Sequence, residues 1–116
     1  MTTKSIFITG LVAGADTSQL DEFILVQQKL EQAGFKVTTA IDDLPMGDQL
    51  GNKDAENLYL KKRAENLSEA DNVIYLDNYE LDERALNDLR VARAAVKEHV
   101  MPAKKFIAQY AKEAVA

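Results

Sequence analysis

Four short runs rich in β-branched and aromatic residues are separated by longer runs whose apolar residues recur every three or four positions. This alternation constrains the fold more than any other feature. KSIFIT (4–9), FKVTTA (35–40), NVIYL (72–76) and HVM (99–101) read as strands. Residues 18–33, 54–70, 82–97 and 103–114 read as helices. Each strand is followed by a helix, so neighbouring strands are joined by crossovers rather than hairpins. Such a chain builds a parallel sheet covered by helices on both faces.

Right-handed crossovers leave few strand orders. The expected fold is α/β: a three-layer, flavodoxin-like parallel sheet of about four strands in the order 2-1-3-4, forming one domain over residues 1–116. In the first helix Leu20, Phe23, Val26, Leu30 and Ala33 make the inward stripe. Ser18 is the expected N-cap, with Asp21 and Glu22 in the first turn, and Gly34 takes the place after the C-cap. In the second helix Leu60, Ala64 and Leu67 are expected inward, which leaves Lys61, Lys62 and Arg63 as a solvated face. Leu81, Ala85, Leu89, Ala92 and Val96 form the third stripe, with Arg90, Arg93 and Lys97 largely opposite. Phe106, Ile107, Tyr110, Ala111 and Ala114 share one side of the last helix.

Composition narrows the chemistry. The chain of 116 residues has no cysteine, so thiolate and disulfide chemistry is absent, which fits a reducing compartment and a cytoplasmic location. A single histidine, His99, rules out a multi-histidine metal site and reads as structural. No apolar run approaches the ~18 residues of a membrane span, and no signal-peptide pattern opens the sequence. The net charge of −5 disfavours general nucleic-acid binding, which draws on lysine and arginine. Neither a cofactor nor a metal is expected.

In a sheet of order 2-1-3-4, ligands bind beyond the carboxyl ends of the strands, where the order reverses. Two loops flank that point: Gly10 to Thr17 and Asp77 to Asp82. Gly10 and Gly14 serve either a close approach of backbone to ligand or a simple turn. The first loop leads into a helix N-terminus suited to an anion, yet it has neither the lysine of a P-loop nor G-x-G-x-x-G. In the second, DNYELDE, Asp77, Asn78 and Asp82 offer groups for sugar hydroxyls and Tyr79 a ring for stacking; helix capping by Asp82 beside a solvated acidic turn is the plainer account. Asp42 and Asp43 open a long loop, 41–53, as turn formers or as the rim of the site. A phospho-receiver domain with Asp77 as acceptor is excluded, because the first strand ends FITG without an acidic pair and no fifth strand with a lysine is evident.

The segments IFITGLVAG, LEQAGFKVTTA, LYLKKRAENLSEADNVIYLDNYE and ALNDLRVARAA together resemble the DUF4406 group of the nucleoside 2-deoxyribosyltransferase-like superfamily, over roughly residues 5 to 102. That resemblance implies a nucleoside or nucleotide ligand, N-glycosidase or deoxyribosyltransferase activity, oligomers that complete each other's sites, and a phage or prophage source. It places the family's nucleophilic glutamate at Asp88, a small glycine at Arg84 and a second-helix aspartate at Arg63, while Leu11 stands for a proline and Tyr79 for a tryptophan-like residue. Asp88 is one methylene shorter than glutamate, about 1.5 Å less reach, and a misplacement of about 1 Å can cost a hundredfold in rate. Arg84 is expected either to pair with Asp88 or to hold a phosphate. The catalytic candidate is thus Asp88, and Gly10, Gly14, Asp77, Asn78, Tyr79, Asp82 and Arg84 are the binding candidates. The alternative is a non-catalytic interaction protein of the same fold, with Ile24 and Leu25 of the first helix in its contact surface.

Overall fold

A computed structural model describes residues 3–95 and 97–111. The strands β1 (Ser5–Thr9), β2 (Lys36–Thr39), β3 (Asn72–Tyr75) and β4 (His99–Pro102) form one parallel sheet in the order β2-β1-β3-β4, the expected order. Ile6 lies opposite both Val37 and Asn72, which fixes the register of the centre. The helices are α1 (Thr17–Gln32), α2 (Lys53–Glu69), α3 (Glu83–Ala94) and α4 (Ala103–Tyr110). The order reverses after β2, so right-handed crossovers put α1 on one face and α2 with α3 on the other; α1 packs with α4 and α2 with α3.

β1 has neighbours on both sides and helices above and below, and its Ile6, Phe7 and Ile8 are wholly buried, as a central parallel strand requires. Phe23, Val26 and Leu30 cover one face of the sheet, and Leu67, Leu89 and Ala92 belong to the same core. Pro102 can end β4 because β4 is an edge strand, paired among the described residues with β3 alone.

Several local expectations are corrected. The N-cap of α1 is Asp16, not Ser18: Asp16 Oδ1 accepts from the Gln19 amide at 2.9 Å, and Gln19 Oε1 accepts from the Asp16 amide at 2.9 Å. This reciprocal box satisfies two amides at once, and it moves Asp21 and Glu22 out of the first turn. On α2 the buried face is Tyr59, Arg63 and Leu67, while Leu60 is half-buried and Ala64 exposed. Arg63 turns inward because a buried carboxylate awaits it on α3. Leu81 lies in a 3₁₀ turn ahead of α3 and is exposed rather than part of its stripe. Val96 and Ala114 lie outside the described residues. No helix among the described residues is long and apolar enough to cross a membrane.

Candidate functional site

Beyond the carboxyl ends of β1, β2 and β3 lies a crevice of about 550 Å³. Val12 and Ala13 line it from the β1–α1 loop, Leu44, Pro45 and Leu50 from the β2–α2 loop, and Arg63 from α2. Leu81 and Asp82, with Glu83 and Arg84 at the start of α3, complete the wall. It sits where the strand order reverses, the position that open α/β sheets reserve for ligands.

Two loop tips meet there through Asp82. Its Oδ2 accepts from the amides of Val12 and Ala13 at 2.9 and 3.1 Å. Its Oδ1 accepts from the amides of Arg84 and Ala85 at 2.9 and 3.1 Å, the N-cap of α3. Burial by itself would raise the Asp82 carboxyl; the amides of Val12, Ala13 and Ala85 outweigh it and hold the group below the usual aspartate value. Two of the first loop's amides are therefore spent on the protein's own carboxylate.

A buried polar chain runs behind the crevice. Asp88, 6% exposed, and Arg63, 5% exposed, form an ion pair at 2.6 Å between Oδ2 and Nη2. Thr9 at the end of β1 donates its hydroxyl to the same Oδ2 at 2.7 Å. Arg63 Nη1 donates to the Tyr59 hydroxyl at 2.9 Å, and Tyr59 donates to the Ala40 carbonyl at the end of β2. Burial opposes the charge on Arg63, but Asp88 more than restores it and raises its pKa; burial raises the Tyr59 phenol. Arg63 Nε stays buried without a partner among the described residues. Arg63 and Asp88 also line a second, largely apolar cleft of about 530 Å³ between α2 and α3, with Leu60, Leu67 and Val91.

Comparison with known proteins shows the family and the fold. The family described as "Domain of unknown function (DUF4406)" matches residues 4–101. The chain belongs to the DUF4406 family. Among solved structures it is similar to a 2-deoxyribosyltransferase from Bacillus psychrosaccharolyticus, with a TM-score of 0.67 and 20% identity, over 84% of this chain and 70% of that one. At that identity the likeness is one of fold. No curated protein matches the chain.

In this DUF4406 protein the candidate residues fall into three places. Asp82 and Arg84 line the strand-end crevice. Asp77, Asn78 and Tyr79 line a separate hollow of about 480 Å³ with Tyr75 and Pro102, near the end of β4. There the Tyr79 ring packs on that of Tyr75 at 4.5 Å, and Asp77 pairs with Lys104 on the surface at 3.2 Å. Asp88 belongs to the α2–α3 cleft. Arg84 faces Glu56 at 3.6 Å, and the partner of Asp88 is Arg63 instead.

The glycines do different work. A Cβ on Gly10 would stand 3.1 Å from Leu76 Cβ and 3.2 Å from Phe23 Cζ, so the position closes β1 against β3 and α1. Gly14 takes φ +74 in open space, a turn requirement. Asp42 binds back to the Thr39 amide and hydroxyl at 2.9 and 3.0 Å. His99 packs among Phe106 and Tyr110. Sequence reasoning missed Arg63, Tyr59 and Thr9; the available signal was the spacing of Tyr59, Arg63 and Leu67, four residues apart on one helical face.

Proposed function

We propose that this protein binds a nucleoside or nucleotide in the strand-end crevice and does not efficiently catalyse glycosyl transfer. One observation carries the reading. The carboxylate at the family's nucleophile position, Asp88, is engaged on one oxygen by both a guanidinium and a hydroxyl. A nucleophile must bring a lone pair to an anomeric carbon; this one is buried and neutralised by Arg63. The binding half of the reading draws on the fold shared with a deoxyribosyltransferase, and on a crevice volume within the ~300–1,000 Å³ of small-molecule sites. A homo-oligomer that covers the apolar α2–α3 cleft belongs to the same reading.

The test incubates the protein with deoxynucleosides and their monophosphates and follows free base by chromatography, beside ligand-induced thermal shifts. The expected outcome is a thermal shift with at least one ligand and no base release above that of Asp88→Ala. Base release by the wild-type protein that Asp88→Ala abolishes makes the protein a glycosidase and overturns the reading.

A second reading, an interaction protein of the same fold, is favoured by Ile24 and Leu25, both exposed on α1. It is the one left standing when no nucleoside or nucleotide shifts the melting temperature.

A further inference from the structure

We infer that the cleft between α2 and α3 is a second ligand site, apart from the strand-end crevice, and that it takes a small, mainly apolar molecule bearing one carbonyl acceptor. The inference does not rest on the crevice reading.

The walls are two stripes. Leu60, Ala64 and Leu67 follow one another at helical spacing on α2, and Asn87, Val91 and Ala95 do so on α3. The α2 stripe is the one expected inward from the sequence; it lines the cleft instead, with Ala64 exposed and Leu60 half-buried. Val91 is 43% exposed. The two helices pack on each other, yet about 530 Å³ stays open between these side chains. That lies within the ~300–1,000 Å³ of small-molecule sites. Apolar walls left open to water gain by being covered.

Arg63 supplies the polar group. Its Nη1 is spent on the Tyr59 hydroxyl and its Nη2 on Asp88. Nε, nearer the α2 backbone, is buried and has no acceptor among the described residues. A buried donor without a partner carries a desolvation cost that an acceptor recovers. Water fills the role poorly: a buried water keeps about three polar partners, and Leu60 and Leu67 stand one turn to either side of Arg63. A carbonyl asks for one donor, and its apolar body covers the remaining wall. A carboxylate finds no unpaired charge, because Asp88 at 2.6 Å already neutralises the guanidinium. The long stem of Arg63 lines the cleft and lets the N–H tilt toward a seated ligand.

A second copy of the chain is the competing occupant. One that lies across the cleft encloses a bound molecule; one whose side chains enter the cleft excludes it.

The experiment titrates isotopically labelled protein with acetophenone and with isopropenylbenzene, which has the same shape with a methylene in place of the oxygen. Nuclear magnetic resonance follows the Arg63 Nε–H signal, the amides of Ala64, Val91 and Ala95 in the cleft, and those of Val12 and Ala13 in the crevice. Ala64→Phe, which plugs the cleft from an exposed position, is titrated alongside, and sedimentation velocity gives the oligomeric state of both proteins. The expected result is saturable shifts at the cleft amides, with Nε–H moving downfield for acetophenone alone. Relative to their octanol–water partition, acetophenone binds at least about threefold tighter than isopropenylbenzene. Ala64→Phe loses these shifts.

An Nε–H response to isopropenylbenzene equal to that for acetophenone overturns the inference. So do shifts confined to Val12 and Ala13, or cleft shifts that persist in Ala64→Phe. Wild-type cleft amides that ignore both probes also overturn it, and a wild-type dimer that Ala64→Phe dissociates then assigns the cleft to the second copy. Should Ala64→Phe fail to fold, Ala95→Phe plugs the opposite wall and must abolish the same shifts. None of these results alters the test of the crevice with nucleosides.

Discussion

Removing one partner of the Arg63–Asp88 pair should damage the protein more than removing both. Each side chain is more than nine-tenths buried, and the charged atoms are 2.6 Å apart. The attraction is about 4 kcal/mol at 4 Å and an effective dielectric of 20, and desolvation of the two charges offsets most of it. The net worth of the pair against an apolar replacement is therefore near zero. A lone buried charge has the desolvation cost and no return. Arg63→Met strands the Asp88 carboxylate with only the Thr9 hydroxyl, and should cost about 3–5 kcal/mol. Asp88→Ala should cost less, about 2–3 kcal/mol, because Arg63 lines both cavities on a long stem and can swing its guanidinium toward water. The double variant should cost no more than about 2 kcal/mol, a coupling of at least about 3 kcal/mol. The assay is urea unfolding followed by far-UV circular dichroism at pH 7, since the chain has no tryptophan. Arg63→Met should lower the melting temperature by about 12 °C or more. Single effects that add within about 0.5 kcal/mol would refute the buried pair, and with it the account of why Asp88 is quenched.

Two further predictions follow from the loops. Gly10→Ala should destabilise by about 1–3 kcal/mol, as overpacking does, because its Cβ must displace Leu76 and Phe23; an unchanged urea midpoint would mean that the loop relaxes freely. In acid, stability should fall as Asp82 and Asp71 take up protons. Both are held below their ordinary value in the fold, Asp82 against the opposing effect of burial and Asp71 chiefly by the Ser5 amide. Their unfolded forms titrate near ~3.9, so the unfolded chain binds more protons over the window between folded and unfolded values. Their stabilisation is complete above that window and is lost as pH falls through the folded values. Urea midpoints between pH 5 and pH 2.5 should drop, and the drop should be smaller in Asp82→Asn; equal slopes would remove Asp82 from the cause.

The fold was legible because it is written in periods. Strand runs such as NVIYL and helical stripes such as Phe23, Val26 and Leu30 declare their type locally, and handedness then restricts the strand order. The meeting of the Gly10 and Asp82 loops followed from that order alone. Pairings between elements have no such local record. Arg63 sits in the run Lys61-Lys62-Arg63, and within its own helix only the four-residue spacing with Tyr59 and Leu67 separates it from its solvated neighbours. Its burial depends on Asp88, 25 residues away. The division of the acidic loop was equally hidden: Asn78 turns left-handed at φ 68 and starts a 3₁₀ turn, which sends Asp77 and Tyr79 toward β4 while Asp82 goes to the crevice.

The two acids of the α3 segment that looked available to a ligand, Asp82 and Asp88, both answer to partners within the chain. What the crevice has left to offer is largely apolar. Leu50 and Leu81 line it and stand 69% and 70% exposed, with Leu44 and Pro45 beside them. Covering both leucines completely is worth about 3–6 kcal/mol at 1.5–3 kcal/mol per side chain. Since a micromolar complex needs about 8 kcal/mol and association itself costs several more, apolar contact alone leaves a ligand well short of micromolar affinity. A flat heterocycle gains that contact, as the proposed crevice reading requires, whereas a free sugar gains little of it. On the proposed crevice reading, the apolar walls favour the base end of a nucleoside and leave its sugar to polar contacts.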